Sequence, residues 1–241
     1  MKKQVAGDRA LRSPPVQGAA VQPLRRTRRP QAERSADTRA KLVEAAITCL
    51  HRLGYSATTV STVAEEAGVS RGAMTHQFPA KTDLMLAVVR EVFEQDSAHY
   101  NRSVELLSPV EWMRTLPSTM WEVISRPSAI AVIEIMLASR SDPELNGKLH
   151  AIQSQIDQEA HAWMVERHLA AGLKMRPDSR AIHELFVSAV RGLAIEAVFM
   201  RNRKEVQKSI RVLSEMLRTL YPELAEETDE HQGDTLPKKK R

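Results

Sequence analysis

Two short helical segments joined by a glycine turn constrain the fold of this chain more than any other feature. Thr59 can cap a first helix, and Gly68 supplies the left-handed position that ends it. Ser70 can cap a second helix, which Pro79 ends because proline disfavours helical backbone in the residue before it. A second helix of about seven or eight residues has the size of a recognition helix, whose first turns enter the DNA major groove. The segment therefore predicts a helix-turn-helix.

The outer face of the second helix carries side chains that can form hydrogen bonds with bases. Ala73, Met74 and Phe78 are expected to face inward. The side chains left more exposed are Arg71, Thr75, His76 and Gln77. Arginine can pair with guanine and glutamine with adenine, and a threonine methyl group can touch the thymine methyl group. Exposed polar residues on a short helix are often only solvated, so the turn pattern alone leaves both interpretations open.

A specific set of residues extends through the whole stretch from Thr38 to Leu84. The set comprises Ala45, Ala46, Gly54, Tyr55, Thr58, Thr59, Val60, Ala64, Ala67, Gly68, Val69, Ser70, Gly72, His76, Phe78, Pro79, Lys81 and Leu84. With these residues the stretch resembles the N-terminal domain of the TetR family of bacterial transcriptional regulators. The family commonly has an aromatic residue at the position of Thr75 and Tyr or His at that of Gln77, and this chain departs from the family pattern at both.

The resemblance implies a protein that binds double-stranded operator DNA as a dimer. Arg71 and Gln77 are expected to contact particular bases, whereas Lys81 is expected to contact the backbone of any sequence. The complete DNA-binding set is predicted to be Thr59, Ser70, Arg71, Gly72, Ala73, Thr75, His76, Gln77 and Lys81.

Basic charge is concentrated at the N-terminal end. Residues 1–41 contain eleven Lys or Arg and three Asp or Glu, in a chain whose formal net charge is +5. Such a concentration next to a helix-turn-helix is typical of DNA-binding proteins, because neutralised phosphates release counterions. Residues 1–34 are expected to form a disordered arm, which either follows the minor groove or is only a solvated tail. Residues 222–241 are expected to form a second disordered, charged tail.

Between these tails the apolar residues recur every three or four positions, which is typical of helices. No segment alternates with a period of two, and helix starts are marked at Pro109, Pro127, Pro143, Asp178 and Asn202. The predicted fold class is all-α with about nine helices. A helix-turn-helix domain is expected over residues 35–82, and a larger effector-binding and dimerisation domain over residues 83–221.

The helix that begins at Asp178 is predicted to pair, together with the last helix, with its copy in a homodimer. Small residues at the centre of its stripe allow another helix to approach closely. Two recognition helices related by a twofold axis can read a palindrome. The alternative is that this face packs within the same chain. The predicted interface residues are Leu185, Ser188, Ala189, Gly192, Ile195 and Phe199.

Large, adaptable side chains suggest a small-molecule effector pocket among the later helices. Met and Trp at helical spacing often form plain core, but the family resemblance implies an apolar cavity there. Glu134 and Arg191 interrupt apolar runs, and they are expected either to orient a polar group of the effector or to pair with each other or with the partner subunit. The predicted pocket comprises Trp112, Leu116, Met120, Trp121, Ile133, Met136, Trp163 and Met164.

The chain shows no catalytic or metal-binding motif. Its eight histidines lack the H-E-x-x-H spacing, Cys49 is its single cysteine, and neither a G-x-S-x-G elbow nor a phosphate-binding glycine loop is present. No enzyme, cofactor or metal is therefore expected. The longest apolar run has only ten residues and no secretory signal is recognisable, so a cytoplasmic protein without a membrane partner is expected.

The predicted function is a transcriptional repressor that binds a palindromic operator as a dimer and is released by a small, largely apolar effector. Release requires that the effector prefers one of two helix arrangements. Ligand-dependent activation is an open alternative. A second alternative is a non-sensing architectural or partner-recruiting DNA-binding protein whose helical core is solid.

Overall fold

A computed structural model describes residues 31–199 and 203–225 of the chain. Within these ranges the chain forms nine α-helices, one 3-10 turn and no β-strand, which confirms the all-α prediction. None of these helices is both long and apolar enough to cross a membrane. The helices are α1 (Gln31–Ala57), α2 (Val60–Glu66), α3 (Arg71–Gln77), α4 (Lys81–Glu105), α5 (Pro109–Ile124), α6 (Pro127–Ser139), α7 (Pro143–Ala170), α8 (Ser179–Phe199) and α9 (Arg203–Leu220), followed by the 3-10 turn Pro222–Leu224.

Local capping interactions define the helix-turn-helix as the sequence predicts. The Thr59 hydroxyl accepts a hydrogen bond from the Thr62 N–H at 3.1 Å, and the Ser70 hydroxyl accepts one from the Ala73 N–H at 3.2 Å. Gly68 between the two helices has a φ of +64°, the left-handed conformation that a glycine adopts without steric cost. The predicted caps and turn are therefore confirmed.

A first apolar core joins α1, α2 and α3 to the helices behind them. Leu42 and Leu50 of α1 are completely buried, and Val63 of α2 and Met74 of α3 belong to the same cluster. Apolar residues of α4, α6 and α7 complete this cluster, and α6 lies along α1. The helix-turn-helix is therefore not a detached head, because one continuous core connects it with the body.

A second apolar core holds the other end of the body together. Trp112 and Met113 of α5 pack with Phe186 and Val190 of α8 and with Tyr221, which follows α9. Helix α4 crosses the expected domain boundary at residue 82 without a break, so that it contacts both cores. The two cores are thus linked by one continuous helix of 25 residues.

The prediction of a disordered N-terminal arm over residues 1–34 is wrong for its last four residues, which form the start of α1. Helix α1 begins at Gln31, and in its second turn the Ser35 hydroxyl accepts a hydrogen bond from Gln77 Nε2 at 2.7 Å. The remainder of the predicted arm, residues 1–30, lies outside the described residues.

The predicted C-terminal tail is also shorter than expected at its start. Leu224 is completely buried in the second core. The Arg114 guanidinium donates hydrogen bonds of 2.8 Å to the carbonyl oxygens of both Leu224 and Ala225. These contacts fix residues 222–225 against α5, and residues 226–241 lie outside the described residues.

Helix α1 is broken at Gly54, which has φ +75° and ψ 173°. This is a backbone conformation that only glycine adopts readily. A β-carbon at this position would also lie 3.4 Å from Oε2 of Glu134. The break frees the next backbone N–H, that of Tyr55, to donate a hydrogen bond of 3.0 Å to the same Glu134 oxygen.

We expect Gly54→Ala to lower the free energy of unfolding by about 1–3 kcal/mol, because alanine is strained at this φ and ψ. The matched control is Gly147→Ala inside α7, where a β-carbon meets no atom within 4 Å. There alanine should raise stability by about 0.5–1 kcal/mol through its higher helix propensity. Urea denaturation followed by circular dichroism measures both, and equal changes for the two variants would contradict the strain argument.

Candidate functional site

The outer face of α3 presents three exposed polar side chains. Arg71, Thr75 and His76 are exposed, whereas Met74 and Phe78 are buried beneath them. Among the described residues, Arg71 and His76 make no side-chain hydrogen bond or ion pair. The Thr75 hydroxyl donates to the Arg71 carbonyl oxygen at 3.0 Å, and its oxygen can still accept a hydrogen bond. This face can therefore offer donors and acceptors to an external partner.

Gln77 and Lys81, both predicted to contact DNA, are half-buried and already have partners. Gln77 donates its side-chain hydrogen bond to Ser35, as described above. The Lys81 ammonium donates to the Tyr55 carbonyl oxygen at 2.7 Å and lies 3.8 Å from the centre of the Tyr55 ring. Burial lowers the pKa of Lys81. Both side chains hold α3 and α4 against α1 in the structure.

The remaining predicted DNA contacts lie at the two helix starts. Thr59 and Ser70 are exposed, but their hydroxyl oxygens are engaged as N-caps. Gly72 is exposed and Ala73 is half-buried. One neighbour was not singled out from the sequence: the Arg39 guanidinium of α1 lies 4.5 Å from the centre of the Phe78 ring, at the end of α3. Its place in the basic N-terminal segment was the only sequence signal for it.

Tyr55 connects the DNA-facing helices to the body through its backbone. Its N–H donates to Glu134 of α6, and its carbonyl oxygen accepts from Lys81 of α4. The alternative in which Glu134 pairs with Arg191 is therefore wrong, because Glu134 faces α1 while Arg191 lies on α8 and lines a cavity.

A cavity of about 600 Å³ lies between α4, α5, α7 and α8. Its walls are mainly apolar and aromatic, but they also include the acidic side chains Glu94, Asp96, Asp157 and Glu159, together with His183 and Arg191. Of the predicted pocket residues, it is lined by Leu116, Met120, Trp163 and Met164. Further lining residues that the sequence did not single out include Phe93, Tyr100, Ile124, Ile156 and Val187.

The other four predicted pocket residues do not line this cavity. Trp112 is buried in the second core, where its indole N–H donates to the Ser103 hydroxyl at 2.9 Å. Trp121 packs against the same core. Ile133 and Met136 lie on α6, the helix that packs along α1, and Met136 contacts the first core. The rotation of each helix about its axis therefore decides which of its large apolar residues line the cavity and which lie in a core.

The polar side chains of the cavity differ in whether a charged partner lies near them and in how far they are exposed to water. One carboxylate oxygen of Asp96 lies 3.9 Å from the Arg126 guanidinium, and burial raises the pKa of Asp96 to about 7. Burial also raises the pKa of Tyr100 and lowers that of Arg191. Asp157, Glu94 and Glu159 line the cavity with exposed side chains.

The predicted dimer stripe on α8 lies on the surface of the chain. Leu185 is 58% exposed and Phe199 is 80% exposed, and no described helix covers them. Ser188, Gly192 and Ile195 are exposed too, and Ala189 is half-buried. The opposite face of α8 packs into the second core. Among the described residues, no group of three or more His, Cys, Asp or Glu side chains is arranged to hold a metal ion.

Comparisons with known proteins point to one family. The sequence model for bacterial regulatory proteins of the tetR family matches residues 42–88. The chain is 28% identical over 200 residues to the HTH-type transcriptional regulator CymR of Pseudomonas putida, which covers 80% of this chain and 96% of the relative. It is 33% identical over 147 residues to the HTH-type transcriptional repressor AcnR of Corynebacterium efficiens, which covers 61% of this chain and 73% of the relative. A crystal structure of a transcriptional regulator from Rhodococcus has the same fold, with a TM-score of 0.63 and 18% identity over 76% of this chain and 97% of that one.

We expect Asp96→Asn to stabilise the protein at pH 8 and to have a smaller effect at pH 5. The pKa of Asp96 rises from 3.8 to about 7 in the folded state, so the folded protein binds this proton more tightly than the unfolded chain. The contribution of Asp96 to stability therefore falls as pH rises from about 4 to about 7, and asparagine avoids that loss. Thermal melting at both pH values measures the difference, with Asp157→Asn as an exposed control. A pH-independent effect of Asp96→Asn would contradict the argument.

Proposed function

The chain belongs to the tetR family of bacterial regulatory proteins, and from this premise we propose that it represses transcription by binding a palindromic operator as a homodimer until a small molecule releases it. It is a DNA-binding transcriptional regulator and not an enzyme, as its relatives are transcriptional regulators. The proposed division of labour assigns DNA binding to residues 35–82, and dimerisation and effector binding to residues 83–221. Helix α4 connects the two parts.

Direct base contacts are proposed for Arg71, Thr75 and His76. Support comes from their exposure on one face of α3 and from the absence of competing partners for Arg71 and His76 among the described residues. Thr59, Ser70, Gly72 and Ala73 lie at or near the helix starts, where backbone and side chains can approach phosphates. In this proposal Gln77 and Lys81 act mainly by holding α3 and α4, respectively, against α1, because their polar groups already bind Ser35 and Tyr55.

The proposed dimer interface is the exposed stripe of α8 with its continuation on α9. Large exposed side chains such as Leu185 and Phe199 form a patch that is unfavourable in water unless another surface covers it. Val212 and Met216 of α9 are also exposed, at 52% and 44%. The small residues Ser188, Ala189 and Gly192 let a second helix approach the centre of the stripe. A twofold contact here would present two copies of α3 to one palindrome.

One observation carries the proposed release mechanism: α4 contacts both the cavity and the DNA-facing helices. Asp96 and Tyr100 of α4 line the cavity, while Lys81 at its start binds the Tyr55 carbonyl oxygen. A ligand that prefers a shifted position of α4 would move α3 in both subunits and so weaken operator binding. Such coupling is typically about 1–3 kcal/mol. The cavity of about 600 Å³ favours this proposal over a non-sensing protein with a solid core.

We expect Arg71→Ala to weaken binding to the cognate operator by about 1–3 kcal/mol, because a bidentate arginine contact is lost. Binding to scrambled DNA should change less. Arg218→Ala is the matched control, since it removes the same charge from an exposed position on α9, which packs on α5 and α8. Fluorescence anisotropy with labelled upstream DNA at about 0.15 M salt measures both variants. Equal losses on cognate and scrambled DNA for Arg71→Ala would sink direct base readout by this residue.

We expect Leu185→Glu to convert the dimer to a monomer, because a carboxylate would be buried in an apolar interface. Leu137→Glu on α6 is the control, since Leu137 is 59% exposed and Leu185 58% exposed. It should remain dimeric. Sedimentation velocity gives the mass of each variant, and a dimeric Leu185→Glu protein would remove α8 from the proposed interface.

A further inference from the structure

We propose that the small molecule recognised by this protein is an amphipathic carboxylate, whose anionic head binds Arg191 and whose apolar part contacts Trp163 and Met120. The inference rests on the proposed function, because it assumes that the cavity is the effector site. It adds the chemical class of the ligand and the residue that selects it.

Arg191 is the group in the cavity whose charge lacks compensation. It lies on α8, its side chain is half-buried, and it makes no hydrogen bond or ion pair with a described residue. A guanidinium that loses water without gaining a partner is costly, and an anion that binds it recovers this cost. Arginine presents two parallel N–H groups, which match the two oxygens of a carboxylate.

The acidic side chains of the cavity favour a cationic ligand less than Arg191 favours an anionic one. Asp96 lies 3.9 Å from the Arg126 guanidinium, but its Oδ1 is buried without a hydrogen-bond partner among the described residues. Burial raises the pKa of Asp96 to about 7, so that a fraction of this side chain is neutral at neutral pH. Glu94, Asp157 and Glu159 are exposed and keep their water at the edge of the cavity. The negative charge of Asp157 attracts the positive charge of Arg191 electrostatically, but the two side chains do not form an ion pair. Arg191 is therefore the charged side chain of the cavity that is half-buried and has no ion pair among the described residues.

The walls around Arg191 define the rest of the ligand. His183, Val187 and Arg191 are spaced four residues apart on α8 and face the same cavity. Across it lie Leu116 and Met120 of α5 and Trp163 of α7, which offer apolar and aromatic surface. Because the charged group sits at one end of this stripe, the ligand is expected to carry its acid at one end and an aryl or alkyl group at the other. A volume of about 600 Å³ is within the range of small-molecule sites.

Three probes with the same phenylbutyl group test the head group: 5-phenylpentanoate, 4-phenylbutylamine and 4-phenylbutanol. Isothermal titration of the full-length protein, with Trp fluorescence as a second readout, should show the acid binding about tenfold or more tightly than the alcohol and the amine. Arg191→Met should remove this preference while leaving the affinity for the alcohol within about twofold. Arg191→Lys should keep part of the preference, since the charge remains. Arg180→Met, an exposed arginine on the same helix, is the matched control and should behave as the unchanged protein.

Each other outcome has a defined meaning. Preferential binding of the amine would overturn the proposal and point to Asp96 as the selecting group. Equal affinities for all three probes, or a preference for the acid that survives in Arg191→Met, would also overturn it. Operator binding measured with each probe separates this inference from the proposed function. Acid binding through Arg191 without any change in operator affinity would leave the ligand class standing and reject ligand-controlled release. No saturable binding of any probe would count against both.

Discussion

The structure depends on the burial of one face of α1. Helices α2 and α3 have only seven residues each, and isolated helices of that length are unstable in water. They are held because Val63 and Met74 enter a core whose centre is the completely buried α1 residues Leu42, Ala46 and Leu50. Since α4 and α6 bury their own apolar residues in the same core, the polar face of α3 is fixed relative to the whole body.

The same core makes the DNA-facing helices sensitive to the body behind them. The backbone of Tyr55 is held on one side by the Glu134 carboxylate and on the other by the Lys81 ammonium. Both partners are charged, and hydrogen bonds to charged groups are about twice as strong as those between neutral groups. These two bonds at the break in α1 tie its end to α4 and α6, so that a displacement of α4 acts on α1 and α3 together.

The three kinds of binding surface proposed for this protein lie on different parts of the fold. Exposed polar side chains lie on α3, and exposed apolar side chains lie on α8 and α9. A half-buried arginine without an ion pair among the described residues lies in the cavity, which also has acidic side chains in its walls. The exposed apolar side chains and the half-buried arginine are unfavourable in an isolated chain. The polar side chains of α3 are solvated there and remain available for another partner. DNA, a second subunit and an anionic ligand supply the three kinds of missing partner in the functions proposed above.

The sequence by itself determined the helices, their ends and the family. Thr59, Ser70 and Asp142 cap helices through hydrogen bonds to residues three positions away. Gly54 and Gly68 adopt the positive φ at which a helix breaks or ends. These interactions are local, so the residue pattern contains them. Only the tertiary structure decided how each helix is rotated about its axis. Gln77 binds a residue 42 positions away, Tyr55 binds Glu134 79 positions away, and Trp112 lies in the core while Trp163 lines the cavity. Such contacts depend on the packing of several helices at once, and apolar spacing along one helix does not specify that packing.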